Sequence, residues 1–155
     1  MKTKMELYTQ DQVRSIAQRL CALMPRMRIF TFQGPLGAGK TTLIQTMLAE
    51  LGVAEEITSP TFGYVNTYQA KKWQVHHFDL YRLSSLNEFL ELGFEEYLAQ
   101  PDALILIEWP EIVLPWLEAT LLASQTCQVR LYYRSADPAL RGIELTLPPD
   151  FTGWR

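Results

Sequence analysis

The sequence has few of the features that mark secreted, metal-binding or membrane proteins. Only two of its 155 residues are cysteines, and Cys21 and Cys127 lie too far apart to match a metal-binding spacing. We therefore expect core or free thiols in a reducing compartment. No apolar run approaches the roughly 20 residues that a membrane-spanning helix needs. The polar start, with no apolar segment of a secretory signal behind it, leads us to expect a cytoplasmic protein without membrane association.

Charge is also modest. The formal net charge is −3, which argues against a nucleic-acid binder that acts through a broad basic surface. Apolar residues make up 48% and charged residues 20%, as in globular proteins. The length leaves room for about one domain of ordinary size. We predict one domain over residues 1–155, in which residues 148–155 carry no strong signal and form a loosely ordered tail.

Helix and strand signals alternate along the chain. A capping box at Thr9 and Gln12 introduces the first helix. Helical spacing of apolar residues predicts helices over residues 13–20, 40–51, 84–92 and 95–99. Strands are predicted over residues 27–32, 64–68, 73–78, 103–107, 127–133 and 143–147. This alternation predicts an α/β fold, a three-layer sandwich with a central, largely parallel sheet flanked by helices. The glycine-rich segment described next makes the prediction a P-loop NTPase-type sandwich.

A glycine-rich segment lies between the strand at 27–32 and the helix that starts at Lys40. Its sequence, Gly34-x4-Gly39-Lys40-Thr41, matches the P-loop pattern, whose backbone amides cradle phosphates. An incidental glycine-rich turn is disfavoured, because the strand, the helix and a third glycine all accompany the motif. Lys40 can contact the β- and γ-phosphates, and the Thr41 hydroxyl can ligate magnesium. We predict that ATP or ADP with Mg²⁺ is bound by Gly34, Leu36, Gly37, Ala38, Gly39, Lys40, Thr41 and Thr42.

P-loop NTPases also need a carboxylate that holds the magnesium, usually at the end of a neighbouring apolar strand. Glu108 follows the most apolar strand of the chain and is the favoured candidate. Asp79 ends a shorter strand and is the second candidate. Either residue could instead be a polar side chain that leaves a strand and meets water.

Two other polar pairs have simpler interpretations. His76 and His77 are adjacent in a predicted strand, so they point to opposite faces and cannot chelate one ion. We interpret them as strand-packing or surface histidines. Lys71-Lys72 is interpreted as a solvated hairpin turn.

Three further motifs follow the P-loop in order. They are Thr58-Ser59-Pro60-Thr61-Phe62, His77-Phe78-Asp79-Leu80-Tyr81-Arg82-Leu83 and Ile107-Glu108-Trp109-Pro110. With the P-loop, they resemble the TsaE family from the first helix to about Pro110, and more loosely to the last strands. The resemblance implies the ATPase subunit of the bacterial machinery that makes threonylcarbamoyladenosine next to the tRNA anticodon. It also implies a weak ATPase that acts with TsaB and TsaD, resets the complex between turnovers and meets tRNA only through that complex.

The resemblance also assigns roles by position. Lys40 and Thr41 correspond to the phosphate lysine and the magnesium threonine, and Glu108 to the family's magnesium-linked glutamate. Asp79 corresponds to an aspartate required for activity, Thr61 lies in a segment like a GTPase switch, and Trp109 is a tryptophan beside the site. Gln10, at the first helix cap, and a late arginine are expected near the adenine. The family's late Gly-Arg pair stands here in reverse order, and Arg141 is our candidate.

Three functions compete for this sequence. The first is an ATPase that resets a larger tRNA-modifying assembly. The second is a small-molecule kinase, against which the sequence has no obvious arginine-rich lid. The third is a non-catalytic module in which the nucleotide orders a partner surface. The sequence also has no Asn-Lys-x-Asp segment, which lowers the odds of a GTPase.

Overall fold

The computed structural model describes residues 1–58, 60, 63–134 and 136–154. Its strands are β1 (Lys2–Tyr8), β2 (Ile29–Gln33), β3 (Val65–Gln69), β4 (Gln74–Asp79), β5 (Ala103–Glu108), β6 (Thr126–Tyr133) and β7 (Arg141–Leu147). Its α-helices are α1 (Val13–Cys21), α2 (Lys40–Glu50), α3 (Leu86–Glu91), α4 (Glu95–Ala99) and α5 (Leu114–Glu118). Short 3-10 helices span Gln10–Gln12, Pro110–Ile112 and Leu121–Gln125. None of the helices described is both long and apolar enough to cross a bilayer.

The seven strands form one mixed sheet in the order β1-β7-β6-β2-β5-β4-β3. The neighbours β6, β2, β5 and β4 are parallel to one another. At the margins, β3 pairs antiparallel with β4, β7 with β6, and β1 with β7. The predicted α/β fold is thus confirmed, and its parallel part lies in the middle of the sheet.

Alternating side chains of the central strands build a core on each face of the sheet. On one face, Phe30 and Phe32 of β2 join the apolar side chains of α1 and α2. On the other face, Ile105 and Ile107 of β5 join those of α3, α4 and α5. All six residues of β5 are buried, as its unbroken apolar sequence indicates. Helices therefore cover both faces, which gives the three layers that the sequence predicts.

The first strand, β1, is absent from our sequence prediction. It lies at the edge of the sheet, and five of its first six residues are exposed. Met5 is 64% exposed. The adjacent Glu6, on the other face of the strand, pairs with Arg19 of α1. An edge strand with so little burial carries a weak hydrophobic pattern. Its pairing with β7, the last strand, supplies the stabilising contacts that its own sequence does not indicate.

The residues after β7 differ from the loose tail that we expected. Phe151 and Trp154 are buried in the α1 side of the core. The guanidinium of Arg19 lies 4.0 Å from the centre of the Trp154 ring, and Lys4 Nζ donates to the Trp154 carbonyl oxygen at 3.1 Å. Two aromatic residues anchor this segment by long-range contacts, which no local periodicity indicates.

A close backbone approach fixes the start of the P-loop. Gly34 directly follows β2 and has a φ of 144°. A Cβ atom at this position would overlap the carbonyl oxygen of Leu131 in the neighbouring strand β6. Glycine is therefore required here both by backbone angle and by space.

We predict that Gly34→Ala lowers the free energy of unfolding by about 3 kcal/mol, because overpacking and backbone strain each cost about 1–3 kcal/mol. Gly93→Ala is the matched control. Gly93 also has a positive φ, of 74°, but a Cβ there would meet no described atom within 4 Å. Its expected loss is about 1–2 kcal/mol. Urea unfolding measures both, and equal losses would contradict the steric explanation.

Candidate nucleotide-binding site

The P-loop connects β2 to α2 as the sequence predicts. Gly37 and Gly39 have φ values of 75° and 102°, and Gly39 is the residue from which α2 starts. The Ala38 N–H donates to the carbonyl of Pro35 at 3.1 Å, which closes the loop. The free N–H groups at the start of α2 and the helix dipole make this end of the helix suited to an anion.

Lys40 lies beneath this loop and is only 5% exposed. Its Nζ atom donates to the carbonyls of Gly34 at 2.5 Å and Pro35 at 3.0 Å. The same ammonium lies 4.0 Å from the centre of the Trp109 ring. Burial lowers the pKa of Lys40, and the neighbouring carboxylates, with Glu108 foremost, act in the opposite direction. The cation is thus held in place by loop carbonyls and an aromatic face.

The parallel register brings the two candidate carboxylates together. Asp79 at the end of β4 is paired with Glu108 at the end of β5, and Glu108 is paired with Phe32 just before the P-loop. Thr41 Oγ1 donates to Glu108 Oε1 at 2.8 Å, and Glu108 is 2% exposed. The first helical turn of α2 and the end of β5 are therefore joined by a part-buried hydrogen bond at the cavity.

His77 contacts the second oxygen of Glu108, and sequence reasoning missed this contact. The distance from His77 Nε2 to Glu108 Oε2 is 2.7 Å. His76 lies on the other face of β4, where it contacts Thr67 and Gln100. The expectation of opposite faces is confirmed, and the surface alternative is wrong for both histidines, since both are buried. The two-residue spacing from His77 to Asp79, which puts both on one face, was the available signal.

Asp79 lies at the mouth of the site. Its Oδ1 atom accepts a hydrogen bond from the Tyr81 N–H at 3.0 Å. Burial raises the pKa of Asp79, while this hydrogen bond acts in the opposite direction and the charge of Glu108 raises the pKa further. Thr61, the other predicted catalytic residue, lies outside the described residues.

Trp109 adopts a backbone conformation that is unusual for a residue with a side chain. Its φ and ψ are both 56°, in the left-handed region, and its N–H donates to the Phe32 carbonyl at 3.3 Å. Its ring packs against Tyr81 at a centroid distance of 4.9 Å. Such strain persists only where neighbours impose it, and it clusters at functional sites. In this site, the backbone conformation of Trp109 places its indole ring over Lys40.

Two cavities meet along the P-loop. One, of about 230 Å³, is lined by most of the predicted phosphate and metal residues, but not by Gly34 or Ala38. The other, of about 550 Å³, is lined by Ala38 and by residues of β1 and α1. Gly37, Gly39 and Thr42 line both. The first is lined in addition by Leu36, Lys40, Thr41, Asp79, Glu108 and Trp109.

The larger cavity contains both residues that we assigned to the adenine. Gln10 lies on one side, and Arg141, at the start of β7, lies on another. Arg141 Nη1 donates to the Pro138 carbonyl at 2.6 Å, and its guanidinium lies 4.6 Å from the centre of the Tyr133 ring. Tyr8 at the end of β1 also lines this cavity, and sequence reasoning missed it together with its strand.

The donor set at Glu108 fits a magnesium ion. A carboxylate oxygen and a hydroxyl oxygen converge there, and hard oxygen ligands are those that Mg²⁺ takes. Across residues 1–58, 60, 63–134 and 136–154, no three His, Cys, Asp or Glu side chains form a metal-binding group. Nucleotide-associated Mg²⁺ uses one or two protein ligands, phosphates and waters, so this set is sufficient.

A family model described as "Threonylcarbamoyl adenosine biosynthesis protein TsaE" matches residues 7–138. A Borreliella burgdorferi protein, named tRNA threonylcarbamoyladenosine biosynthesis protein TsaE, is 34% identical over 125 residues, which cover 81% of this chain and 90% of the relative. A Rickettsia conorii protein of the same name is 40% identical over 108 residues, covering 69% and 61%. The match thus spans about three fifths of the Rickettsia relative's length.

The fold has a solved counterpart as well. The crystal structure of Bacillus subtilis YdiB superposes with a TM-score of 0.65 at 22% identity, covering 95% of this chain and 88% of that chain. This likeness is one of fold, and it agrees with the P-loop architecture described above. Because the family model spans most of the sequence, the chain belongs to the TsaE family, whose members are involved in tRNA threonylcarbamoyladenosine biosynthesis.

Proposed function

We propose that this chain binds ATP with Mg²⁺ and hydrolyses ATP in the service of tRNA threonylcarbamoyladenosine biosynthesis. The observation that carries the proposal is the pair of cavities that share the P-loop as a common wall. The two cavities match the two ends of a nucleoside triphosphate, the base and the charged phosphate chain. The smaller cavity, with its lysine and helix N-terminus, suits the phosphates, and the larger one suits the base.

The residues that line the smaller cavity have different roles in binding the phosphates and the metal. Lys40 neutralises charge on the β- and γ-phosphates, and the amides of Gly37 to Thr42 bind phosphate oxygens. Thr41 and Glu108 would hold Mg²⁺, which when bound neutralises charge on the phosphates. The Trp109 ring packs against the Lys40 ammonium and helps to hold it in position. Phosphoryl transfer relies on positioning and charge stabilisation, and this arrangement supplies both.

Asp79 is the residue that we propose orients the attacking water. It lines the same cavity and is paired in register with Glu108, so its carboxylate lies beside the magnesium carboxylate. Its raised pKa is that of a partly desolvated carboxyl group. Thr61 is proposed to sense the γ-phosphate as a switch residue does, a role that rests on the family resemblance.

On the base side, we propose that Gln10 and Arg141 contact the adenine or its sugar. The guanidinium of Arg141 already lies over an aromatic ring, and an adenine is a comparable flat surface. The partners proposed are the TsaB–TsaD complex, with tRNA reached only through it. Hydrolysis resets that complex between rounds of transfer, and the isolated chain is a weak ATPase.

Lys40→Ala should weaken the binding of Mg²⁺–ATP by about 1.5–3 kcal/mol, because charge-assisted contacts to the phosphates are lost. Calorimetric titration measures the affinity. Lys72→Ala is the matched control, since Lys72 is exposed in the turn between β3 and β4. An unchanged ATP affinity in Lys40→Ala would overturn the assignment of the P-loop.

Glu108→Gln should weaken Mg²⁺-dependent ATP binding and nearly abolish turnover, because the amide removes the charge that holds the ion. ADP without metal should bind as it does to the parent. Glu91→Gln, which changes an exposed carboxylate at the end of α3, provides the control. A thin-layer assay with labelled ATP, run with and without TsaB–TsaD, measures turnover. Normal hydrolysis by Glu108→Gln would rule out this role.

Asp79→Asn should lose the hydrolysis that TsaB–TsaD stimulates, while ADP affinity and thermal stability stay close to those of the parent. The asparagine keeps an oxygen that can accept from the Tyr81 N–H, so the variant removes the charge and preserves the turn. Asp102→Asn, at an exposed turn before β5, is the control. If Asp79→Asn hydrolyses ATP normally, Asp79 only stabilises the turn and has no role in hydrolysis.

A further inference from the structure

A buried imidazole lies against the carboxylate that we assign to magnesium. We infer that His77 is a positioning residue, which holds Glu108 Oε2 and thereby presents Oε1 to Thr41 and the metal. This inference rests on the proposed function, because it concerns how the magnesium carboxylate is held. His77 does not itself line either cavity of the proposed nucleotide site, and its contact there is with the lining residue Glu108.

Each oxygen of Glu108 has its own partner. Thr41 Oγ1 donates to Oε1 at 2.8 Å from the cavity side, and His77 Nε2 lies 2.7 Å from Oε2. The His77 and Glu108 side chains are 0% and 3% exposed, so water does not compete for the contact between them. A glutamate has rotatable side-chain bonds, and contacts at both oxygens fix the plane of its carboxylate. The two contacts therefore determine which oxygen remains on the cavity side.

The hydrogen bonding of the ring indicates why a histidine is present. Because an ionised carboxylate only accepts, Nε2 of His77 carries the hydrogen. The other ring nitrogen, Nδ1, is buried and has no hydrogen-bond partner within the described part of the chain. Burying an unpaired polar nitrogen is unfavourable, and an apolar side chain would avoid this cost. Within the described residues, the contact with Glu108 is the hydrogen bond that the ring gains in return.

The neighbouring histidine supplies an internal comparison. His76 is as deeply buried, but it faces the other side of the sheet, where both ring nitrogens have polar partners, Thr67 Oγ1 and Gln100 Oε1. It has the hydrogen bonding of a structural histidine. His77 differs because the strand places it on the same face as Asp79, below the end of β5. A single strand therefore delivers both the ring that holds Glu108 and the carboxylate beside it.

The test compares four variants by calorimetric titration with ADP, each with Mg²⁺ and with EDTA. His77→Leu removes the donor, and we expect the enhancement of ADP binding by Mg²⁺ to fall about 10-fold, as for other residues that orient metal ligands. Binding in EDTA should not change. His77→Gln, whose amide nitrogen occupies the place of Nε2, should retain most of the enhancement. His77→Asn, whose amide nitrogen matches Nδ1, should lose it, and His76→Leu should keep it.

Two further measurements separate this inference from a general structural role. In a Glu108→Gln background, His77→Leu should cause no additional loss of magnesium dependence, because the carboxylate it positions is gone. Nitrogen NMR of the parent protein, without metal or nucleotide, should detect a hydrogen on His77 Nε2 that exchanges slowly with solvent. A ring without that hydrogen would overturn the inference even if a variant fails to fold.

The outcomes also separate the inference from the proposed function. If Glu108→Gln loses the magnesium enhancement and His77→Leu keeps it, the inference is wrong and the proposed function stands. If His77→Leu weakens ADP binding equally with Mg²⁺ and with EDTA, His77 is structural. If Mg²⁺ does not enhance ADP binding to the parent protein, the proposed function itself is contradicted, and the inference is overturned with it.

Discussion

The site depends on the register of three adjacent parallel strands. β2, β5 and β4 end at the same level, so that Phe32, Glu108 and Asp79 lie side by side at one edge of the sheet. A shift of one residue in β5 would turn Glu108 to the opposite face, away from Thr41. The apolar sequence of β5 allows either face to be buried, so the polar contacts at its end contribute to setting the register. Function and strand pairing are thus specified by the same few side chains.

Much of this arrangement could be predicted from the sequence, because its signals are local. The P-loop glycines, Lys40 and the helix that follows all lie within one short segment, whose spacing is fixed by the geometry of phosphate binding. The buried strand before Glu108 is equally visible as an unbroken apolar run. Those signals predicted Glu108 at the edge of the sheet where the structure has it, beside Thr41. The resemblance to a known family added Gln10 as a candidate and a proposed role for Asp79, which the end of its strand had already made a candidate.

What could not be predicted comes from contacts between distant segments. The strand β1 has a weak pattern of its own and is stabilised by β7, and Trp154 is buried through contacts with Arg19 and Lys4. His77 differs from His76 in sequence only by its two-residue spacing to Asp79, and the pairing of β4 with β5 brings it to Glu108. In each case, the decisive partner lies elsewhere in the chain, and no local rule on periodicity or propensity contains it.

The pairing of the first strand with the last has a consequence for synthesis. Sheets with such distant pairings form slowly, since the chain must close a long loop before the contact is made. During synthesis, β2, the P-loop and α2 emerge from the ribosome early. The strand β1 has no pairing partner until β7 has emerged. The larger cavity takes its walls from both ends of this late pair, Tyr8 and Arg141. The part of the cavity wall that these two residues form is therefore completed only after β7 has emerged and paired with β1, later than the local parts of the P-loop.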